Sequence, residues 1–154
     1  MLKNIDPILN ADILHALCSM GHADELVIVD TNYPADTSAR SSTYGKLLRI
    51  DGVDAPRAVR AILSVFPLDS FVSHPAERME VDNEPNNQPL VQQEVQAEIN
   101  KAEGRVIPFA SVKRADFYNR AKKAYCIIVT GEMRGWGCFI FSKGVNLAAD
   151  APSK

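Results

Sequence analysis

Short apolar runs separate longer polar or amphipathic segments along this chain. A continuous apolar run of this kind is typical of a strand buried on both faces of a sheet. The clearest examples are residues 125–130 and 138–142. Weaker runs predict further strands at residues 26–30, 46–50, 78–81 and, briefly, 105–107.

Four segments carry helical spacing together with end signals. Asn10 and Asp54 are suited to cap the starts of the first two helices, while Gly21 and Pro67 are suited to end them. Gly104 is suited to end the third. The predicted helices cover residues 12–20, 55–66, 90–103 and 115–124. The polar segment 31–44 is predicted to be a loop, and residues 82–89 a turn-rich connection.

Alternation of helices and strands predicts an α/β fold in which helices cover a central sheet. No repeat and no long linker divides the chain, so residues 1–145 are expected to form a single domain. Residues 146–154 have little to pack and are expected to be a frayed tail. The pattern does not give the strand order.

Composition narrows the possible partners. The 154 residues carry a formal net charge of -2 without a basic cluster, which argues against nucleic-acid binding. No apolar run suits a membrane span, and the N-terminus lacks the apolar core of a secretion signal. Cys18, Cys126 and Cys138 are odd in number and not spaced as zinc ligands. We interpret them as reduced core thiols of a cytoplasmic protein, and we expect no metal.

Two polar residues flank the first predicted strand. Asp30 ends it, where ligands of open α/β sheets gather, and its carboxylate suits sugar hydroxyls. A turn-capping role is equally compatible with the sequence. His22 follows Gly21, and an imidazole titrates in the range that suits proton transfer near neutral pH. A surface or packing role for His22 is the alternative.

Further candidates lie near the C-terminus. Arg114 precedes a predicted helix, and its fork of donors suits hydroxyl groups. Tyr118, in that helix, is either a hydrogen-bond donor or part of the core wall. The glycine-rich segment 130–138 contains Trp136, the single tryptophan of the chain. An indole in such a loop can stack on a sugar ring, or it can simply pack.

Several ordered segments resemble the fucose mutarotase and ribose pyranase family (the RbsD/FucU family), more closely its fucose branch. GHADELVIVD at 21–30 is similar to that family's GHGDE…D segment. The other similar segments are MLKNIDP at 1–7, NYPA at 32–35, FPLDS at 66–70, FY at 117–118, RA at 120–121, IVTGE at 128–132 and KGV at 143–145.

The resemblance implies a three-layer α/β/α fold and a cofactor-free isomerase that interconverts the anomers of a free monosaccharide. L-fucose is the first candidate for that sugar. It also implies a homo-oligomeric ring, a decamer or an octamer, with sites at subunit boundaries. The family's catalytic histidine falls on His22 and its sugar-binding aspartate on Asp30. Its basic residue falls on Arg114, and its C-terminal loop on Trp136, Gly137 and Cys138.

This C-terminal loop departs from the family's usual Tyr-x-Asn. Trp136 keeps an aromatic ring but lacks the phenol hydroxyl, and the thiol of Cys138 is a weaker hydrogen-bonding partner than an amide. Two alternatives follow from the departure and the resemblance. One is a ribose pyranase, and the other is a monosaccharide-binding protein of the same fold without turnover.

Mutarotation needs one group to take the proton of the anomeric hydroxyl and another to protonate the ring oxygen. We assign proton transfer to His22 and hydroxyl binding to Asp30. A strand at 26–30 would hold these two residues well over about 15 Å apart. Either residues 22–25 fold back along the strand, or two chains supply the site.

Overall fold

The computed structural model describes residues 2–147. Within that range the chain forms five helices and six strands. The helices are α1 (Ala11–Ser19), α2 (Ala35–Ala39), α3 (Ala55–Leu63), α4 (Leu90–Glu103) and α5 (Arg114–Ala121). The strands are β1 (Glu25–Val29), β2 (Leu47–Ile50), β3 (Ala76–Met79), β4 (Phe109–Val112), β5 (Cys126–Thr130) and β6 (Phe139–Ser142).

The described strands form one sheet in the order β2-β5-β1-β6-β3-β4. β5 is parallel to β1 and β2, and β3 is parallel to β4. β6 runs antiparallel to both of its neighbours, β1 and β3. The amino end of β6 therefore lies beside the carboxyl ends of the other strands. We call this side of the sheet the carboxyl edge and the opposite side the amino edge.

Side chains of each central strand alternate between two cores. Leu26 and Ile28 of β1 pack in the core that contains the buried faces of α1, α3 and α4. Val27 and Val29 pack in a second core with α2 and α5. The sheet is therefore covered on both faces, which explains the uninterrupted apolar runs. The predicted α/β fold with three layers is confirmed.

Local end signals set several helix boundaries. The side chains of Asn10 and Asp54 accept hydrogen bonds from the backbone N–H groups of Ile13 and Arg57, as N-caps do. Gly104 adopts the left-handed conformation that ends α4. These predictions are confirmed, although α3 ends at Leu63, before Pro67.

The prediction of a loop over residues 31–44 was wrong in part, because α2 lies within it. Local sequence favours a turn there, since the segment is short, polar and preceded by Pro34. Burial favours a helix instead, because Ala35 and Ala39 pack in the second core and Ser38 is buried with them. Tertiary packing thus overrides weak helix propensity.

The strand predicted at residues 105–107 was also wrong. The backbone N–H of Ile107 donates to Asn100 Oδ1, and its carbonyl accepts from Gln96 Nε2. Side chains of α4 therefore satisfy this backbone, and pairing with β3 begins only at Phe109. The strand predicted at 78–81 lies two residues earlier, as β3.

Within the described residues, no helix has the length and apolarity that crossing a bilayer requires. All three cysteines are free thiols. Cys126 and Cys138 are buried as predicted, but Cys18 is exposed because it lies on the outer face of α1. Most of the predicted tail, residues 148–154, lies outside the described residues.

Candidate functional site

A small open pocket lies at the carboxyl edge, where β1, β3 and β6 are neighbours. Asp30 follows β1, Met79 ends β3, and Cys138 precedes β6. The volume is about 160 Å³, below the roughly 300–1,000 Å³ of pockets for drug-sized ligands, and suits one small ligand. The lining residues are Asp30, Asn32, Tyr33, Met79, Arg114, Tyr118, Gly135, Trp136 and Cys138.

Asp30 is anchored by its own loop. Its Oδ1 accepts hydrogen bonds from the backbone N–H groups of Asn32 and Tyr33, at 3.0 and 3.1 Å. The thiol of Cys138 lies 3.5 Å from Oδ2 and donates to it. Burial, together with the neighbouring Asp30 carboxylate, raises the pKa of Cys138, so this thiol stays protonated. Asp30 is therefore both a turn cap and a fixed acceptor in the pocket.

Aromatic side chains form one wall of the pocket. The ring of Tyr33 meets Tyr118 edge-on at a centroid distance of 5.1 Å and Phe117 at 6.0 Å. Burial raises the pKa of Tyr33 to about 12, so its hydroxyl remains a neutral partner of Ser38. Trp136 is half-buried and, at φ 67°, has the left-handed backbone that side chains rarely adopt.

A buried carboxylate holds the loop that carries Trp136. Glu132 accepts three hydrogen bonds of 2.8 Å from Arg134 and one of 3.2 Å from the N–H of Ala55. Burial alone would raise the pKa of Glu132, but these hydrogen bonds together outweigh burial and lower it to about 2. Arg134 also bonds Glu94 of α4. The loop is therefore tied to both α3 and α4.

Gly137 does not line the pocket, although the sequence placed it in the site. A Cβ atom at this position would lie 2.8 Å from Glu132 Cγ and 3.4 Å from Asp30 Cβ. The absence of a side chain lets the Glu132 side chain pass directly behind the pocket. The contribution of Gly137 to the site is thus space for its supporting carboxylate.

Arg114 lies at the pocket rim, in the first turn of α5. Its guanidinium pairs with Asp82 at 2.7 Å, and both side chains are about half exposed. The pair is held weakly, as exposed ion pairs are, so the guanidinium is free to turn toward a ligand in the pocket.

His22 lies at the amino edge, separated from Asp30 by the full length of β1, about 17 Å for five extended residues. Its Nε2 is 3.1 Å from Oδ2 of Asp69, whose side chain is 1% exposed, whereas that of His22 is 45% exposed. Phe71 meets the imidazole edge-on. The backbone N–H of Ala23 donates to Lys143 O, which holds the histidine loop at this edge.

Of the residues predicted for the site, Asp30, Arg114, Tyr118, Trp136 and Cys138 meet in one pocket, and His22 does not join them within the chain. The loop before β1 does not fold back, so that alternative is excluded. Sequence reasoning missed Asp69, 47 positions from His22, because no local pattern links the two. It also missed the part that Met79 and Tyr33 play as pocket walls.

A larger cleft of about 460 Å³ lies beside the pocket, over β2 and β5. Its charged residues include Arg49 and Asp51, which bond each other at 2.8 Å and so satisfy their own charges. The smaller pocket differs because its carboxylate, Asp30, is fixed by the backbone and faces aromatic rings. It is therefore the better candidate for ligand binding.

Comparison with known proteins agrees with this geometry. The model of the RbsD / FucU transport protein family matches residues 3–146. A human protein named fucose mutarotase is 37% identical over 147 residues, covering 94% of each chain. A crystal structure described as a putative sugar binding protein is 56% identical, with a TM-score of 0.94 over 96% of this chain and 97% of the other.

A further structure is the fucose mutarotase of Streptococcus pneumoniae in complex with L-fucose. It is 36% identical, with a TM-score of 0.84, and the alignment covers 95% of this chain and 100% of that protein. The ordered segments at residues 21–30, 66–70 and 128–132 thus occur in a chain whose whole described fold matches these relatives. This chain belongs to the RbsD / FucU family.

Proposed function

We propose that this chain is a mutarotase that interconverts the anomers of a free monosaccharide, with L-fucose as the first candidate. One observation carries the proposal: an anchored carboxylate, Asp30, faces the rings of Tyr118 and Trp136 in one small pocket. Carboxylates accept hydrogen bonds from sugar hydroxyls, and aromatic faces pack against the apolar face of a sugar ring. A human relative whose alignment covers 94% of this chain carries the name fucose mutarotase.

The reaction opens the hemiacetal and closes it on the other face. The anomeric hydroxyl loses its proton, the C–O bond of the ring breaks, and the ring oxygen gains a proton. Asp30 and Arg114 hold the hydroxyls, while Trp136 and Tyr118 orient the ring. Positioned acid–base catalysis of this kind typically supplies about 10²–10⁴-fold acceleration.

His22 is suited to the proton transfer because Asp69 orients it. Asp69 accepts from Nε2 through Oδ2, while its Oδ1 accepts from the backbone N–H of Phe71 at 2.9 Å. When the carboxylate accepts a hydrogen bond from the protonated Nε2, Nδ1 is the ring nitrogen left without a proton. No described residue hydrogen-bonds to that nitrogen.

The separation of His22 from the pocket requires a second subunit in this mechanism. The amino edge of one chain would face the carboxyl edge of the next, which is a head-to-tail contact, and such contacts form rings when the rotation closes. Phe71 and Val72 are 61% and 45% exposed beside His22 and offer apolar surface for this contact. The decameric or octameric ring and the cytoplasmic location remain predictions.

Complementation between inactive subunits tests both the function and the shared site. Saturation-transfer NMR on L-fucose measures anomer exchange for the wild type, for His22→Asn and for Asp30→Asn. Each variant alone should lose the acceleration. When the two variants are co-expressed and assemble randomly, about a quarter of the interfaces pair an intact His22 with an intact Asp30, so about a quarter of the activity should return.

Four results would refute parts of this proposal. A wild type that leaves exchange at the uncatalysed rate on a panel of free sugars excludes the mutarotase. Full activity of His22→Asn excludes its role. An active monomer of about 17 kDa in light scattering excludes the shared site, and so does mixing that restores nothing although both variants assemble.

A non-catalytic sugar-binding protein is the second candidate, favoured by Cys138. Cys138 is 2% exposed, and its thiol already donates a hydrogen bond to Asp30. It therefore has little capacity to hydrogen-bond a ligand at the position where the family usually has an amide. Sugar-dependent change in Trp136 fluorescence without accelerated exchange would select this function. Faster exchange with D-ribose than with L-fucose would instead select a ribose pyranase.

A further inference from the structure

Gln92 is a fully buried polar residue of α4, on the far side of the sheet from the aromatic wall of the pocket. Its Nε2 donates two hydrogen bonds, to Met79 O at 2.8 Å and to Trp136 O at 3.0 Å. Met79 and Trp136 both line the pocket. One amide group thus ties together the backbones of two pocket walls that come from different elements.

Arg78 fixes which way this amide points. Its Nη1 donates to Oε1 of Gln92 at 3.1 Å, and a guanidinium has no acceptor. The amide oxygen must therefore face Arg78, which leaves both N–H groups for the two carbonyls. Arg78 is 4% exposed and also donates to the carbonyls of Asn87 and Pro85. No described carboxylate forms an ion pair with it.

Trp136 needs such a restraint because of its backbone. Its φ of 67° is in the left-handed region, which is disfavoured for a residue with a side chain. Its neighbours Gly135 and Gly137 give the loop other available conformations. A hydrogen bond at the Trp136 carbonyl opposes rotation of the peptide that would swing the indole away from Asp30.

We propose that Gln92 is a positioning residue that holds the Trp136 indole at the sugar, with Arg78 orienting its amide. The proposal rests on the proposed sugar site. Gln92 does not line the pocket, and it acts through the backbones of Trp136 and Met79. Its loss should therefore weaken sugar binding far more than the chemical step.

Gln92→Glu separates positioning from folding. The carboxylate keeps the length of the side chain and its contact with Arg78, but it loses both donors to the carbonyls. We expect KM for L-fucose to rise about tenfold, as the loss of roughly 1.4 kcal/mol of binding predicts, with kcat within about twofold. Trp136 emission without sugar should shift to longer wavelength. The matched control is Gln93→Glu, at an exposed position next to Gln92 on α4. It should change neither KM for L-fucose nor the Trp136 emission.

Gln92→Met, which is uncharged and of similar length, should give the same rise in KM and the same emission shift if the glutamate variant does not fold. Unchanged KM and emission in a folded Gln92 variant would overturn the proposal. A fall of about tenfold in kcat with an unchanged KM would also overturn it. A wild type without exchange activity would refute the proposed function instead, and the emission of the Gln92 variants would still test whether Gln92 holds Trp136.

Discussion

Replacing Glu132 with glutamine should cost stability in a strongly pH-dependent way. The side chain is 3% exposed, so its interactions are little screened by water. Its pKa lies at about 2 in the folded chain, against an ordinary value of 4.5. At 1.36 kcal/mol for each pH unit, this difference corresponds to about 3 kcal/mol of stabilisation of the folded state by the ionised form.

The direction of the pH dependence follows from a lowered pKa. The stabilisation is complete above the unfolded-state value near 4.5 and is lost as the pH falls toward about 2. Glutamine resembles the protonated acid and lacks this stabilisation at every pH. The wild type should therefore exceed Glu132→Gln by about 3 kcal/mol at pH 7 but by only about 1.4 kcal/mol at pH 3.

Urea unfolding followed by far-UV circular dichroism measures these free energies, at one fixed protein concentration because association also stabilises. Glu94→Gln is the control, since Glu94 bonds the same guanidinium but is 40% exposed. It should cost less than about 1 kcal/mol. A loss below about 1 kcal/mol for Glu132→Gln, or a loss equal at pH 7 and pH 3, would refute the role given to this carboxylate.

Two further substitutions test the supports of the two edges. Gly137→Ala should destabilise by about 1–3 kcal/mol in thermal unfolding, because its methyl group would lie 2.8 Å from Glu132 Cγ. Gly135→Ala, with nothing within 4 Å, should be near neutral, and equal effects would contradict the argument. Lys143→Met should cost about 1–3 kcal/mol, because Lys143 Nζ donates to the carbonyls of Leu17 in α1 and of Met20, which caps the end of that helix. Amide hydrogen exchange at the end of α1 that is the same in Lys143→Met and in the wild type would contradict this role of Lys143.

Local chemistry made part of the fold predictable. Asn10, Asp54 and Gly104 act on their own helix ends within a few residues, so their roles are readable from the sequence. The apolar runs of β1 and β5 likewise reveal burial on both faces. By contrast, α2 depends on packing against the sheet, and Ile107 depends on side chains of α4.

The candidate site was predictable as a set of residues but not as an arrangement. Asp30 and Trp136 were identified from strand ends, glycine spacing and family resemblance. The separation of Asp30 from His22 followed from strand length alone, and the structure places the two residues beyond opposite ends of β1. The partners that hold these groups, Asp69 and Gln92, are 47 and 44 positions away from them in sequence. Such pairs depend on strand order, which periodicity does not encode.

The position of β6 has a consequence for how the chain folds as it is synthesised. β6 is the last described strand in chain order, yet it is the strand that joins β2-β5-β1 to β3-β4. Until it leaves the ribosome, the inner edges of β1 and β3 remain open to wrong pairing. The nascent chain can thus form two partial sheets early, but the seam that the pocket straddles closes only after β6 has emerged.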